Sequence, residues 1–141
     1  MLKRALLLGL FVSSTAMAHS GASGIVNERM DGFKAAKQSM KVLKSAVRSQ
    51  DFSIVSSEAQ SLQTWFSDLE RYFPEGTNAK PSEALDIIWQ EFDRFSGIAQ
   101  QSRDASAALL QAAQQQDSSA AMDAFSDLGA SCKSCHDDYR E

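Results

Sequence analysis

The sequence has few of the residues that build sheets, crosslinked scaffolds or metal sites with several protein ligands. No run of β-branched residues alternates with a period of two, so no sheet is predicted. The chain has only two cysteines and two histidines among 141 residues, so few thiol and imidazole ligands are available for a zinc site. Only two prolines occur, and they bracket PEGTNAKP, residues 74–81, the one interior stretch with clear turn chemistry. No internal repeat or low-complexity tract is apparent.

The first twenty residues, MLKRALLLGLFVSSTAMAHS, have the pattern of a secretory signal. A short basic start precedes an apolar run over residues 5–12, and a small-x-small sequence ends at Ala18. The run is too short for a membrane span, so no stable membrane insertion is expected. We predict a signal peptide over residues 1–18 and one exported domain over residues 19–141.

The charge of the exported domain limits its partners. The whole chain has 14 basic and 18 acidic residues, and removal of Lys3 and Arg4 with the signal leaves twelve basic residues and a net charge of −6. This acidity argues against nucleic acid and anionic membrane as partners. It favours a soluble protein that docks with a basic partner.

Four seams of apolar side chains recur at steps of three and four residues, which is typical of amphipathic helices. Ser82 is a candidate N-cap for the third helix, and Asp117 or Ser118 for the fourth. The seams are Val26, Met30, Phe33, Ala36, Met40, Leu43 and Val47; Val55, Ala59, Leu62, Phe66, Leu69 and Phe73; Leu85, Ile88, Phe92, Phe95, Ala99, Ser102, Ser106, Leu109 and Ala113; and Met122, Phe125, Leu128 or Gly129, Cys132, Cys135 or His136, and Tyr139.

The links between these helices predict their arrangement. Short links near Gln50 and Gln116, with a longer one at residues 74–81, favour an all-α, antiparallel up-down-up-down four-helix bundle. This topology places the start of the first and third helices beside the end of the second and fourth. The shared end is rich in aromatic residues.

The sequence SCKSCHDDYRE closes the chain and contains Cys132, Cys135 and His136 in a CxxCH motif. CxxCH is the attachment signature of c-type haem, in which each thiol adds to a vinyl group to give a thioether and the histidine becomes an axial iron ligand. On a helix, the three side chains project from one face. Because bacteria attach this haem outside the cytoplasm, the motif agrees with the export signal and predicts a periplasmic location.

Three other interpretations of the motif are weaker. A thioredoxin-like pair belongs at the head of a helix after a strand, whereas this one is at the tail of a helical chain. A zinc site would have only His19 to add. A disulfide suits the oxidising compartment, but two helical positions three apart make a strained bridge.

The position of the motif restricts any second axial ligand to upstream residues, which offer His19 and three methionines. Met122 lies roughly 21 Å from His136 along the same helix and cannot reach over the ring. Met40 lies roughly 15 Å beyond Met30 along the first helix and is expected in the core. Met30 is the candidate at the correct end, with packing at the haem edge as its alternative role.

Three stretches, VNERMDGF, FPEGTNAKPSEALDIIWQEFDRF and CKSCHDDYR, resemble the cytochrome c prime family, and the similarity extends over essentially all of the exported domain. The resemblance implies a bundle carrying one covalent haem c, commonly as a homodimer built from helices 1 and 2. It implies thioethers at Cys132 and Cys135 and a proximal ligand at His136. It also places Arg29 near the haem propionates and Phe33 over the distal haem face.

The distal residue divides the family into two behaviours. Low-spin relatives have an iron-bound methionine there, whereas cytochromes c prime proper have an apolar residue that leaves the iron open. Phe33 has no donor atom, so we expect five-coordinate iron. We expect this iron to bind small diatomic gases such as nitric oxide and carbon monoxide, to transfer single electrons to periplasmic redox partners, or both. The alternative is a six-coordinate electron carrier with Met30 as sixth ligand. No acid, base or substrate pocket is apparent, so the protein is not expected to be an enzyme.

Further residues are expected around the haem. Arg29 and Arg140 are candidates to pair with the propionates, and Trp89 and Phe92 to pack on the macrocycle. Trp65 and Tyr72 are candidates to cover a dimer partner. The expected haem contacts are Arg29, Met30, Phe33, Phe73, Trp89, Phe92, Tyr139 and Arg140.

Overall fold

The computed structural model describes residues 20–141, with side chains from Gly24 onward. The predicted signal peptide and His19 lie outside these residues. No helix of the described part is long and apolar enough to cross a membrane. The elements in chain order are α1 (Ser20–Ser49), α2 (Phe52–Ser67), a 3₁₀ turn (Leu69–Tyr72), α3 (Ile87–Gln90), α4 (Phe92–Gln115) and α5 (Ser118–Tyr139).

The long helices pack as an antiparallel bundle, which confirms the predicted fold class. The most extensive contacts join α4 to α2 and to α5, while α1 packs mainly on α2 and less on α5. Within the described residues the only β pairing is an isolated bridge between Ala84 and Arg140. Arg29 of α1 donates to Ser82, and the bridge joins Ala84 to Arg140 after α5. The start of α1 and the end of α5 therefore lie at one end of the bundle.

The two short links have the same construction. At each, a glutamine with positive φ directly follows α1 or α4, Gln50 at 58° and Gln116 at 54°. The next amide reaches back five residues, from Asp51 to Ala46 O and from Asp117 to Ala112 O, both at 2.9 Å, which is the Schellman pattern.

Each link ends in an aspartate that begins the following helix. The Asp51 carboxylate accepts from Ile54 N, and the Asp117 carboxylate accepts from Ala120 N at 3.0 Å. Each aspartate is therefore the N-cap of α2 or α5. Because a link of two residues returns the chain on itself, each pair of helices runs antiparallel.

The third helix does not begin at Ser82, so the predicted N-cap is wrong. The Ser82 hydroxyl accepts from Ala84 N at 3.1 Å, a local turn that competes with helix formation. The Leu85 amide donates to Tyr139 O at 3.0 Å instead of entering a helix. Helical structure starts with α3 and is interrupted at Glu91 before α4.

The seam predicted for the last helix is displaced by about one residue. Met122, placed in that seam, is 58% exposed, whereas the buried face of α5 consists of small residues together with Leu128 and Tyr139. Ser131 lies in this face, and its hydroxyl is 2.9 Å from that of Ser102 on α4. Alanine and serine carry little hydropathy signal, so the true register was missed. The small buried residues of α5 are Ala121, Ala124 and Ser131.

Candidate haem-attachment site

The motif occupies the last two turns of α5. Cys132 and Cys135 are half-buried against the hydrophobic core and are free thiols, and His136 is exposed. Among the residues that the structure describes, no group of three or more His, Cys, Asp or Glu side chains is placed to hold a bare metal ion. Two thiols and an imidazole three and four residues apart on one helix fit a group that is attached through thioethers and ligated by the imidazole.

The protonation of these side chains follows from their burial. Burial, reinforced by the neighbouring Cys132, raises the pKa of Cys135 to about 11. Burial also raises the pKa of the Cys132 thiol. The pKa of His136 is lowered, first by burial and then by the Arg140 cation. At neutral pH the imidazole is thus neutral, which is the form that ligates a metal.

Hydrogen bonds from the loop before α3 hold the end of α5. Besides the bond to Tyr139 O, the Glu141 amide donates to Glu83 O at 2.9 Å, and Lys80 pairs with the Glu141 carboxylate at 2.8 Å. The Arg140 guanidinium pairs with the Glu83 carboxylate. The backbone after His136 is therefore fixed to the loop instead of fraying.

A second set of polar contacts joins this end of α5 to the start of α4. The Tyr139 hydroxyl donates to Glu91 Oε2 at 3.2 Å, and Arg94 bridges Glu91 at 3.1 Å and Asp138 at 2.7 Å. Tyr139 is 2% exposed, so its ring is a core element as well as a polar contact. These contacts hold the α5 face that carries the motif against α4.

An aromatic cluster fills the end of the bundle where the motif lies. Its rings form an unbroken series of contacts from α1 to α5, with centroids 4.7 to 6.3 Å apart. The sequence places most of these rings at this end, and the structure brings them together. The aromatic cluster consists of Phe33, Trp65, Tyr72, Phe73, Phe92, Phe95 and Tyr139.

Phe33 is half-buried at the α1 side of this cluster. Its ring lies edge-on to Trp65 at 5.4 Å and to Phe73 at 6.3 Å between centroids. Met30, one turn earlier on α1, is also half-buried but is not part of the hydrophobic core. The two candidates for the distal position therefore have different surroundings. Phe33 is held by neighbouring rings, whereas Met30 lies outside the hydrophobic core.

The Trp65 ring packs against α1 and is partly buried. Its ring is 4.9 Å from that of Tyr72 and its indole nitrogen is buried without a hydrogen-bond partner among the described residues. That Trp65 and Tyr72 cover a dimer partner stays a prediction, since both side chains are only partly buried. A glycine in the first helix, Gly32, is the sequence signal that Trp65 packs here, and sequence reasoning missed it.

Arg29 is a buried cation without an anion. It is 1% exposed, and its two terminal nitrogens donate to Tyr72 O at 2.9 Å, Ser82 Oγ at 2.7 Å and both oxygens of Thr77. Its guanidinium also lies 4.4 Å above the Phe73 ring. No carboxylate among the described residues pairs with it. An acidic group of a cofactor would compensate this charge.

The remaining expected contacts lie at the same end but are partly engaged by the protein. The Trp89 indole donates to Phe73 O at 3.0 Å, and the Phe92 ring is 5.8 Å from Phe95. Because Arg140 pairs with Glu83, a propionate would compete with that carboxylate. Sequence reasoning did not identify Thr77, Ser82 and Glu91 as partners of Arg29 and Tyr139, because they lie far away in the chain.

A covalently held porphyrin with acidic edges fits three features of this site. Two thiols and an imidazole lie on one helix face, a buried arginine has no carboxylate partner among the described residues, and a buried indole N–H has no acceptor there. The fold and this donor set define a four-helix-bundle c-type haem protein. The comparisons with known proteins agree, since the family profile described as Cytochrome C' matches residues 24–140. The chain belongs to the cytochrome c' family, which carries covalently attached haem c.

Three relatives document the similarity. A cytochrome c' of Pararhodospirillum photometricum is 34% identical over 119 residues, covering 82% of this chain and 95% of the relative. The structure of cytochrome c prime from Shewanella frigidimarina has a TM-score of 0.79 and 25% identity, covering 86% of this chain and 98% of that one. A nitric oxide complex of a mutant cytochrome c prime from Alcaligenes xylosoxidans has a TM-score of 0.78 and 26% identity, covering 86% and 97%.

Proposed function

We propose that this chain is a periplasmic c-type haem protein that binds small diatomic gases at five-coordinate iron. Thioethers at Cys132 and Cys135 attach the haem, and His136 is the proximal ligand. The half-burial of both thiols against the core, on the same face as a neutral imidazole, supports this assignment. When bound, the haem supplies an iron that takes up one electron and binds a diatomic molecule.

The observation that carries the open distal face is the environment of Phe33. Two rings hold its side chain edge-on, and it has no atom able to bind iron. An apolar cover of this kind penalises water and larger anions, because they would lose hydrogen bonds without replacement. Nitric oxide and carbon monoxide avoid most of that penalty, and a mutant of the relative from Alcaligenes xylosoxidans forms a nitric oxide complex.

Arg29 is the candidate that compensates a haem propionate. Its terminal nitrogens already donate to Thr77, Tyr72 and Ser82. They are therefore not free to form a bidentate pair with a propionate, and Arg29 acts through its charge and its Nε. Arg140 would take the same role only by leaving Glu83. The rings of Phe73, Trp89, Phe92 and Tyr139 provide the apolar walls of the site.

The second candidate function is one-electron transfer between periplasmic redox partners through six-coordinate iron. Met30 favours it, because this half-buried thioether lies outside the hydrophobic core, one turn from Phe33. A homodimer through α1 and α2 is part of either proposal, with Trp65 and Tyr72 as candidates to cover the partner.

Optical and resonance Raman spectra of the reduced protein test the two coordination states. The open site predicts a high-spin spectrum that shifts on addition of carbon monoxide. The variant Phe33→Met should give a low-spin spectrum that responds less to the gas. A low-spin spectrum of the unaltered protein that carbon monoxide does not change would contradict the open site.

Met30→Ala separates the second candidate from the first, and Met40→Ala is its control. Met40 is also half-buried on α1, about 15 Å further along the helix, where it packs against the core. The open site predicts that neither substitution changes the spectrum. Conversion from low spin to high spin by Met30→Ala alone would establish Met30 as the ligand.

A further inference from the structure

A row of five cations runs along one side of α1. Lys34, Lys37, Lys41, Lys44 and Arg48, here called the basic stripe, are all exposed and are spaced alternately by three and four residues. This spacing places them on one helix face over about 21 Å. Lys41, Lys44 and Arg48 also line an open groove together with Ser45 and Ser49.

The basic stripe has little internal compensation. Lys34 pairs with Asp31 at 3.4 Å, but the other four cations form no ion pair with any carboxylate of the described residues. Residues 32–50 contain five basic and no acidic residues, whereas residues 51–141 contain sixteen acidic and six basic ones. A protein that is acidic overall therefore presents one strongly basic face.

The fold does not account for the basic stripe. Like charges three or four residues apart repel and weaken a helix. The helix dipole favours cations only in the last turn, which accounts for Arg48 but not for Lys34, Lys37 or Lys41. An external partner of opposite charge would offset this repulsion.

We propose that the basic stripe of α1 is a docking surface for the acidic face of a partner protein. A single straight row of cations matches carboxylates spaced along one helix or strand of a partner, and such complementarity steers association. The stripe begins one residue after Phe33. If the proposed haem function holds, a partner docked along it therefore reaches the haem-bearing end, but the docking surface does not depend on that function.

A membrane surface fits these observations less well. Proteins that lie on anionic membranes combine basic residues with apolar side chains that enter the interface. The exposed large apolar side chains of the described residues are Ile54 and Met122, and neither is on α1. The acidic remainder of the chain would also be repelled by anionic lipid. An acidic protein is therefore the favoured occupant.

Binding of a labelled poly-L-glutamate peptide to the haem-loaded protein tests the proposal by fluorescence anisotropy. The variant Lys37→Gln, Lys41→Gln, Lys44→Gln is compared with the control Arg71→Gln, Lys80→Gln, Arg103→Gln, which removes the same charge elsewhere. At an ionic strength of about 10 mM, we expect the stripe variant to bind at least about tenfold more weakly and the control within about twofold of the unaltered protein. Raising the ionic strength to about 150 mM should weaken binding by the unaltered protein.

Four results would overturn the proposal. Equal losses in the two triple variants, or no binding even at low salt, would remove the special role of the stripe. Tighter, stripe-dependent binding to vesicles of phosphatidylcholine and phosphatidylglycerol than to the peptide would make a membrane the occupant. Self-association in sedimentation that only the stripe variant loses would make a second copy of this chain the occupant. Because haem content and gas binding are not used as readouts, failure here leaves the proposed function untouched.

Discussion

Gly32 of α1 and Trp65 of α2 fit together so closely that no side chain can be added at position 32. A Cβ atom there would lie 2.7 Å from Trp65 Cζ2 and nearer still to Cη2 and Cζ3. The contact lies next to Phe33, whose ring packs against the same indole. The distance between α1 and α2 at the proposed distal face therefore depends on this glycine.

Gly32→Ala should destabilise the protein by about 1–2 kcal/mol, because overpacking against a ring outweighs the better helix propensity of alanine. Urea unfolding of the haem-loaded protein measures the change. Gly129→Ala is the matched control, since its Cβ would meet no atom within 4 Å, and it should stabilise α5 by about 0.5–1 kcal/mol. Equal effects of the two substitutions would show that Trp65 does not restrict position 32.

Arg29→Met should destabilise the protein by about 2–4 kcal/mol, because Tyr72 O and Thr77 O would lose a charged donor. Arg29 joins the loop before α3 to α1, and the same loop contacts the end of α5. The loss of stability should therefore extend to the helix end that carries the motif. Arg103→Met is the control, since among the described residues Arg103 pairs only with its exposed neighbour Asp104, and its effect should stay within about 0.5 kcal/mol. Urea unfolding compares the two, and a negligible effect of Arg29→Met would contradict the buried network.

Asp117→Ala should cost about 1 kcal/mol, because the carboxylate that accepts from Ala120 N begins α5. Asp123→Ala removes an exposed carboxylate from the same helix without removing a cap, and it should change the free energy of unfolding by less than about 0.5 kcal/mol. Thermal unfolding followed by circular dichroism measures both. If the two variants melted together, Asp117 would not function as the cap.

The sequence predicts the bundle well because periodic apolar seams and two short links leave few arrangements. Prediction fails where the signal is not periodic. The seam of α5 was displaced because Ala121, Ala124 and Ser131 pack by being small, which hydropathy does not register. A serine after proline suits a helix cap, so the sequence predicts one at Ser82, whereas the partner that Ser82 binds, Arg29, is more than fifty residues away.

The candidate site divides in the same way. The motif formed by Cys132, Cys135 and His136 is local in sequence, so it was identified directly. The contacts of Arg29 and the packing of Trp65 depend on tertiary structure. A residue such as Gly32 is informative only once its neighbour across α2 is known.

Acid–acetone extraction of the purified, exported protein tests the central claim, covalent attachment at the end of α5, most directly. The account predicts that the red pigment remains with the polypeptide in the unaltered protein. It also predicts that the double variant Cys132→Ala, Cys135→Ala retains no pigment after extraction. Pigment that leaves the unaltered protein, or a protein that never carries pigment, would contradict it.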